Sequence, residues 1–106
     1  MSDDPVGAVF AALGDPTRRH LLEALTYGRA TISGLAAGLP VSRQAVSKHL
    51  VTLGHAGLVR SERAGREVYF EITPQAMGEP VRWMGEVGAE WDERLARLSE
   101  LFDREG

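Results

Sequence analysis

The sequence has no cysteine, so disulfide bonds, thiolate metal ligands and cysteine nucleophiles are excluded. No apolar run approaches the ~20 residues that a membrane-spanning helix requires, and the acidic start of the chain is unlike a signal peptide. We therefore expect a cytoplasmic protein with no membrane partner. Its 106 residues, 43% hydrophobic and 25% charged, fit one globular domain over residues 1–106.

Acidic residues exceed basic ones, but the two kinds are distributed unevenly along the chain. The formal net charge is −3. Residues 1–40 carry 3 basic and 4 acidic side chains, residues 41–72 carry 5 and 3, and residues 73–106 carry 4 and 8. Only the middle segment has a basic excess, so we expect any binding to a polyanion to be confined to it.

The first third of the chain has the spacing and caps of short helices. An apolar stripe predicts a first helix that ends at Gly14: Val6, Val9, Phe10 and Leu13. Asp15 as N-cap and Pro16 at the first helical position predict a second helix that closes near Gly28. Ser33 is expected to cap a third, short helix.

The stretch VSRQAVSKHL, residues 41–50, predicts a fourth helix with two different faces. Ser42 is its expected N-cap, and Gly54 marks its expected end. One face is apolar; the other carries hydrogen-bond donors: Arg43, Gln44, Ser47 and Lys48. Such donors suit phosphates and base edges, although an ordinary solvated helix surface has the same composition. Two short helices joined by a tight turn form a helix-turn-helix, whose second helix is presented to DNA.

After Gly57 the period of the apolar pattern changes from 3.6 to 2 residues. LVRSERAGREVYFEI predicts two strands around the turn at residues 64–66, where Gly65 supplies the positive φ that a hairpin turn favours. Arg63 and Arg66 flank the tip of this hairpin. They are either nucleic-acid contacts or solvated surface side chains.

A long helix is predicted from about Pro80 to Asp103. Its apolar stripe contains Trp83, Val87, Trp91, Leu95, Leu98 and Phe102. This stripe has more apolar area than so small a domain covers by itself, so it predicts a dimer interface to which Val6 and Phe10 contribute. The alternative is that the stripe completes the core of the monomer.

Three stretches, GDPTRRHLLEAL, VSRQAVSKHLVTLGHAGLV and RAGREVYFEI, closely resemble the ArsR/SmtB-type winged helix-turn-helix repressors of bacteria. The resemblance covers about residues 6–75, and its most specific part is the run Ser47-Lys48-His49-Leu50. It implies a mainly α fold with a small β-hairpin, namely a winged helix-turn-helix with a long C-terminal dimerisation helix.

The resemblance also implies a homodimer whose recognition helices enter successive major grooves of double-stranded DNA, with each wing near the adjacent minor groove. The DNA-facing positions of the family correspond here to Ser42, Arg43, Gln44, Ser47, Lys48, Arg63 and Arg66. His49 matches the histidine of the family pattern, but the helical wheel places it on the inward face. We therefore interpret His49 as a hydrogen-bonded structural histidine.

The sequence departs from the metal-sensing members of this family at both of their sensor positions. Those members resemble one another in carrying paired cysteines before the turn, or histidine and carboxylate ligands on the last helix. Here the two places read TISGLAAGLP and EWDERLARLSE, with neither thiolate nor imidazole. His20, His49 and His55 are expected on separate elements. We therefore predict no metal site and no cofactor, and leave open a small-molecule effector bound near the tryptophans.

These observations favour a dimeric, sequence-specific DNA-binding regulator, a repressor at an inverted-repeat operator that does not sense metals. The alternative is a winged-helix module that binds a protein partner through the tryptophan stripe and has lost DNA binding. An enzyme is not expected, because Ser47 and His49 lie on different faces of one helix and cannot act as nucleophile and base.

Overall fold

The computed structural model describes residues 4–105, and describes side chains as far as residue 101. Its elements follow one another in the predicted order. They are α1 (Pro5–Leu13), α2 (Pro16–Leu25), α3 (Ile32–Ala37), α4 (Arg43–His55), β1 (Val59–Ala64), β2 (Glu67–Ile72), a 3-10 turn (Pro74–Met77) and α5 (Gly78–Glu105). Among the helices of this described part, none combines the length and apolar character needed to cross a membrane.

Side-chain caps fix the starts of the two helices for which the sequence is most explicit. The carboxylate of Asp15 accepts hydrogen bonds from the backbone N–H groups of Thr17 at 2.8 Å and Arg18 at 3.1 Å, at the start of α2. The hydroxyl of Ser42 accepts from the backbone N–H of Ala45 at 3.1 Å, at the start of α4. Both predicted caps are confirmed.

The predicted cap of α3 is wrong by two positions. Thr31, not Ser33, is the N-cap; its backbone is extended, and its hydroxyl accepts from the N–H of Gly34 at 3.1 Å. A capping side chain must precede the helix in extended backbone to reach the free N–H groups of the first turn. Ser33 already lies inside α3 and is exposed.

A small apolar core is formed by the helices α1, α2, α3 and α4 together with the base of the hairpin. Its buried members are Val9, Ala12, Leu21, Leu25, Leu35, Val46, Leu50, Leu53, Leu58 and Val59. Three of these lie on one side of α4 and hold that helix to the rest of the fold: Val46, Leu50 and Leu53. The opposite side of α4 is therefore turned outward.

The hairpin forms the wing, which comprises β1, β2 and the two-residue turn between them. Its antiparallel register places Val59 opposite Ile72 and Ala64 opposite Glu67. Gly65 has φ +64°, which confirms the predicted turn glycine. Two backbone hydrogen bonds, of 2.8 and 3.0 Å, also join Phe70 of β2 to Ala30, the residue that precedes the cap of α3. The wing is thus attached to the helical core through its second strand.

Helix α5 begins at Gly78 rather than Pro80, and only its first part packs on the rest of the chain. Trp83 stacks edge-on against Phe10 of α1, with ring centroids 5.7 Å apart. Farther along, Trp91 and Leu95 are 54% and 55% exposed. The apolar stripe therefore does not complete the core of the single chain. The side chain of Phe102, which the sequence placed on the same stripe, lies outside the described residues.

Candidate nucleic-acid interface

The outward face of α4 is a row of exposed polar side chains at the N-terminal end of the helix. Ser42, Arg43, Gln44 and Lys48 are all exposed. Among the described side chains the ion pairs are Arg60 with Glu71 and Arg82 with Glu79, which leave Arg43 and Lys48 unpaired. These four side chains are therefore free to bind a ligand. Ser47, the remaining predicted donor, is less exposed than they are.

Ser47 is half-buried and lines a cleft between α4 and the wing. The floor and walls of this cleft include Leu50 and Val51 of α4 together with Ser61 of β1 and Phe70 of β2. The position is on the predicted surface, but it lies deeper than that of Gln44 or the other donors. Ser47 can therefore meet only a group that enters the cleft.

Strand alternation separates the charges of the wing by face. Ser61 and Phe70 are paired across the strands and line the cleft towards α4, so Arg63, two residues along β1, shares their face. Arg66 is exposed in the turn. The acidic side chains of the strands occupy the other face: Glu62, Glu67 and Glu71. The side of the wing that faces α4 thus carries arginine without carboxylates.

The stretch of the chain around α4 also lacks acidic residues. Residues 24–61, which include α3, the turn and α4, contain no Asp or Glu. Much of the acid instead lies on α5, which packs on α1 and the 3-10 turn: Glu79, Glu86, Glu90, Asp92, Glu93 and Glu100. The net negative charge of the protein is therefore compatible with a locally positive face.

His49 faces inward, as predicted. It is half-buried, and its Nδ1 lies 3.4 Å from Nη1 of Arg18 on α2. Arg18 also donates from Nε to the carbonyl oxygen of Ala12 at 2.7 Å and from Nη2 to that of Ala11 at 3.2 Å. Sequence reasoning did not identify Arg18, because its partners lie on two other helices and no local pattern indicates them.

The carboxyl of Asp15 has a pKa below its usual value. The backbone N–H of Arg18 is the largest cause; partial burial opposes the shift, and the N–H of Thr17 and the charges of His49 and Arg18 add to it. Asp15 is therefore an anion at neutral pH and contributes a negative charge beside the Arg18–His49 contact.

The three histidines do not form a cluster. His20 on α2 and His55 on α4 are exposed, whereas His49 is half-buried. The prediction that all three lie on separate elements is wrong for His55, because α4 continues past Gly54 and ends at this residue. In the described part of the chain, no group of three or more His, Cys, Asp or Glu side chains is placed to hold a metal ion.

Comparisons with known proteins agree with this geometry. Residues 13–62 match the family described as a helix-turn-helix domain. The chain is 32% identical over 76 residues to the transcriptional repressor SdpR of Bacillus subtilis, covering 72% of this chain and 84% of the relative. Over 92% of both chains it resembles the solved structure of an ArsR-like transcriptional regulator from Rhodococcus sp. RHA1, with 41% identity and a TM-score of 0.76.

A second solved structure bears on assembly. It is the homodimeric winged helix-turn-helix DNA-binding domain of Mb0332 from Mycobacterium bovis, a possible ArsR-family regulator. The identity is 27%, the TM-score is 0.64, and the match covers 92% of this chain and 93% of that one. The similarity therefore extends over the long helix α5 as well as over the wing and the helix-turn-helix.

Proposed function

Because the chain belongs to the ArsR/SmtB family of winged helix-turn-helix transcriptional regulators, we propose that it is a dimeric repressor that reads a specific operator. The observation that carries the proposal is the row of unpaired donors on α4, which stands beside the arginine-bearing face of the wing in a part of the chain, residues 24–61, without Asp or Glu. Its relatives are regulators rather than enzymes, and a bacterial regulator that reads an operator would act in the cytoplasm. Repression is supported by the similarity to SdpR, which is a transcriptional repressor.

The proposed reading mechanism divides the donors by their chemistry. Arg43 and Gln44 lie in the first turn of α4, the part of a recognition helix that contacts base edges in the major groove. Arginine can bind guanine and glutamine can bind adenine through two hydrogen bonds each. Ser42 presents the helix N-terminus to a phosphate, and Lys48 binds either a phosphate or a base.

We further propose that two chains pair through α1 and α5. The homodimer of Mb0332 supports this arrangement, as do apolar side chains of α5 that no other described residue covers. The proposed contacts are Val6, Phe10, Trp83, Val87, Trp91 and Leu95. Two-fold pairing would place the two α4 helices in grooves about 34 Å apart, so the operator would be an inverted repeat with half-sites spaced by about one helical turn.

The proposal also assigns no metal and no cofactor to regulation. It leaves a small-molecule effector as one means of release from DNA. The support is the chemistry of the side chains: the chain has no cysteine, and its three histidines are spread over two helices.

The decisive experiment is a binding series on the DNA upstream of the protein's own gene, located by footprinting. Wild type is compared with Arg43→Ala and Gln44→Ala on the footprinted duplex and on a scrambled duplex. Each variant should lose about 1 to 3 kcal/mol of discrimination between the two duplexes. Arg82→Ala and Gln75→Ala remove the same groups from exposed positions outside α4 and serve as matched controls.

Two outcomes would contradict the proposal. The first is that wild type prefers no duplex, and the second is that the two α4 variants discriminate between duplexes as wild type does. Either result would favour the alternative function, a winged-helix module that binds a protein partner through α5. A reporter gene behind the footprinted DNA decides between repression and activation, because deleting the regulator should raise expression if it is a repressor.

A further inference from the structure

One guanidinium group connects three helices of this protein. Arg18 lies in the first turn of α2, and its Nε and Nη2 donate to the carbonyl oxygens of Ala12 and Ala11 at the end of α1. The last carbonyls of a helix have no partner within it, so these oxygens are available to a side chain. The third nitrogen, Nη1, lies 3.4 Å from Nδ1 of His49 on α4. A planar guanidinium has donors enough for all three groups at once, and Nδ1 accepts from it when His49 carries its single ring proton on Nε2.

The two ends of this connection have different tasks in the proposed function. Helix α1 carries Val6 and Phe10, which belong to the proposed dimer interface, and Phe10 also packs on Trp83 of α5. On α4, His49 follows Lys48 directly, so its ring position is coupled to the rotation of the reading face. The Arg18–His49 contact therefore runs from the part of the molecule that would set the dimer to the part that would read DNA.

We propose that Arg18 is a positioning residue for DNA reading, which ties the end of α1 to His49 and so sets how α4 is presented to the operator. This proposal rests on the proposed DNA-binding function and adds to it the residue that orients the reading helix. Side chains that recognise base edges must be held within about 0.5 Å of their working positions, so a loosened α4 would lose specificity before it loses its fold.

The neighbouring residue on α2 supplies a matched control. Arg19 also caps α1, because its Nη1 donates to the carbonyl oxygen of Leu13 at 2.5 Å. Among the hydrogen bonds of the described side chains, however, that of Arg19 reaches α1 alone and does not extend to α4. Arg19→Gln therefore removes one hydrogen bond to α1 only, whereas Arg18→Gln removes two hydrogen bonds to α1 and the connection to His49.

Two variants of His49 isolate the connection without touching α1. Asparagine places its amide oxygen near the position of Nδ1 and keeps an acceptor for Arg18. Leucine keeps comparable bulk but offers no acceptor. His49→Asn is therefore the conservative variant that should restore function, and His49→Leu is the variant that should lose it.

The experiment measures the ratio of affinities for the operator and a scrambled duplex at one salt concentration, together with the free energy of unfolding in urea. Arg18→Gln and His49→Leu should each lower the affinity ratio by about tenfold, as expected for one member of a coupled pair. Arg19→Gln and His49→Asn should keep the ratio of wild type. The double variant Arg18→Gln with His49→Leu should lower the affinity ratio by no more than the larger of the two single effects. In urea, both variants should lower stability, and Arg18→Gln by more, because it removes two hydrogen bonds to α1 where Arg19→Gln removes one.

The outcomes separate this proposal from the one on which it rests. If Arg18→Gln and Arg19→Gln lower the ratio equally, or if His49→Leu matches His49→Asn, then Arg18 only caps α1 and the positioning role is wrong. If wild type itself discriminates between no duplexes, the DNA-binding function is wrong instead. If Arg18→Gln does not fold, the two His49 variants still decide the question, since they leave the caps of α1 in place.

Discussion

At the start of α4, one hydroxyl determines which residues can reach a ligand. Ser42 accepts from the N–H of Ala45, so the helix begins at Arg43. Arg43 and Gln44 therefore stand in the first turn, where their side chains project beyond the body of the helix, while Val46 faces the core with 0% of its surface exposed. The start of the helix at Arg43 thus fixes which side chains can reach a ligand and which face the core.

The cap of α2 should make the stability of the protein depend on pH. Because the pKa of Asp15 is lowered in the folded state, mainly by the N–H of Arg18, its stabilising effect is complete above the pKa of the unfolded chain, about 3.9. The effect is lost as the pH falls through the lower pKa of the folded protein. Asp15→Asn keeps an oxygen cap but has no charge to titrate. Wild type should therefore be more stable than Asp15→Asn at neutral pH, by a difference that shrinks below about pH 4.

Urea unfolding of both proteins between pH 3 and pH 7 measures this difference. Asp15→Ala, which has neither cap nor charge, is the reference for loss of the oxygen itself. A difference between wild type and Asp15→Asn that stays constant across the range would show that the charge of Asp15 does not act on stability.

At the scale of single elements, the wing has two chemically different faces although its overall composition is mixed. Arg60 also borders the cleft, but its side chain forms an ion pair at 2.7 Å with Glu71, its neighbour across the strands. Arg63 lies on the face towards α4, and Arg66 lies in the exposed turn. A regular alternation of side chains is enough to produce this separation, because residues at odd and even positions of a strand point to opposite sides.

This separation predicts different effects for two arginines of the same hairpin. Arg66→Ala should weaken binding to operator and scrambled duplexes alike and reduce the slope of log K against log salt by about 1, as expected for one lost phosphate contact. Arg60→Ala removes the same charge from a side chain that is already paired with Glu71 and should leave that slope unchanged. Titrations at several salt concentrations test both. Equal slopes for the two variants would mean that the wing tip does not contact DNA.

At the scale of the whole molecule, α5 extends the protein to 68 Å along its longest axis, against 30 and 25 Å along the others. Its apolar side chains from Trp91 to Leu101 are about half exposed in the single chain. Apolar side chains on this scale usually mark an interface, and a second copy of the chain presents the same stripe. The shape of the single chain is therefore consistent with the proposed two-fold dimer.

The dimer makes Trp91 a sensitive position. Its ring is 54% exposed in the single chain. In the dimer the partner would bury this exposed part, and that burial would stabilise the dimer. Trp91→Ala should weaken dimerisation by about 2 to 4 kcal/mol, the range of an interface hot spot, as measured by sedimentation at micromolar concentration. Tyr27→Ala, which removes an aromatic ring that is 93% exposed between α2 and α3, should not change it. A wild-type monomer that binds the operator tightly would contradict the prediction.

Metal ions should not release the protein from DNA. Zinc, nickel, cadmium and arsenite are added to the wild-type complex with its operator, and affinity is expected to stay constant because soft and borderline ions need thiolate or imidazole ligands. Release by less than one equivalent of any of these ions would reveal a site that the donor set does not suggest. Addition of a chelator restores binding if such a site exists and separates it from damage to the protein.

Features that depend on neighbours along the chain could be predicted from the order of the amino acids. Asp15 and Ser42 cap helices, and Gly65 turns the hairpin, because each of these interactions closes within about three residues. Where two hydroxyls compete within one short stretch, as Thr31 and Ser33 do, local pattern is not enough, since the choice depends on the backbone conformation at each position.

Contacts between distant groups, and the surfaces that remain uncovered, follow from how the helices pack and not from local pattern. Arg18 and His49 are 31 positions apart, and their contact exists because α2 and α4 pack against one core. The hydrogen bonds between Ala30 and Phe70 have the same origin. The sequence places Trp91 on an apolar stripe, but periodicity cannot tell whether another element of the chain covers that stripe. That depends on the direction in which α5 leaves the core, and here α5 leads away from it.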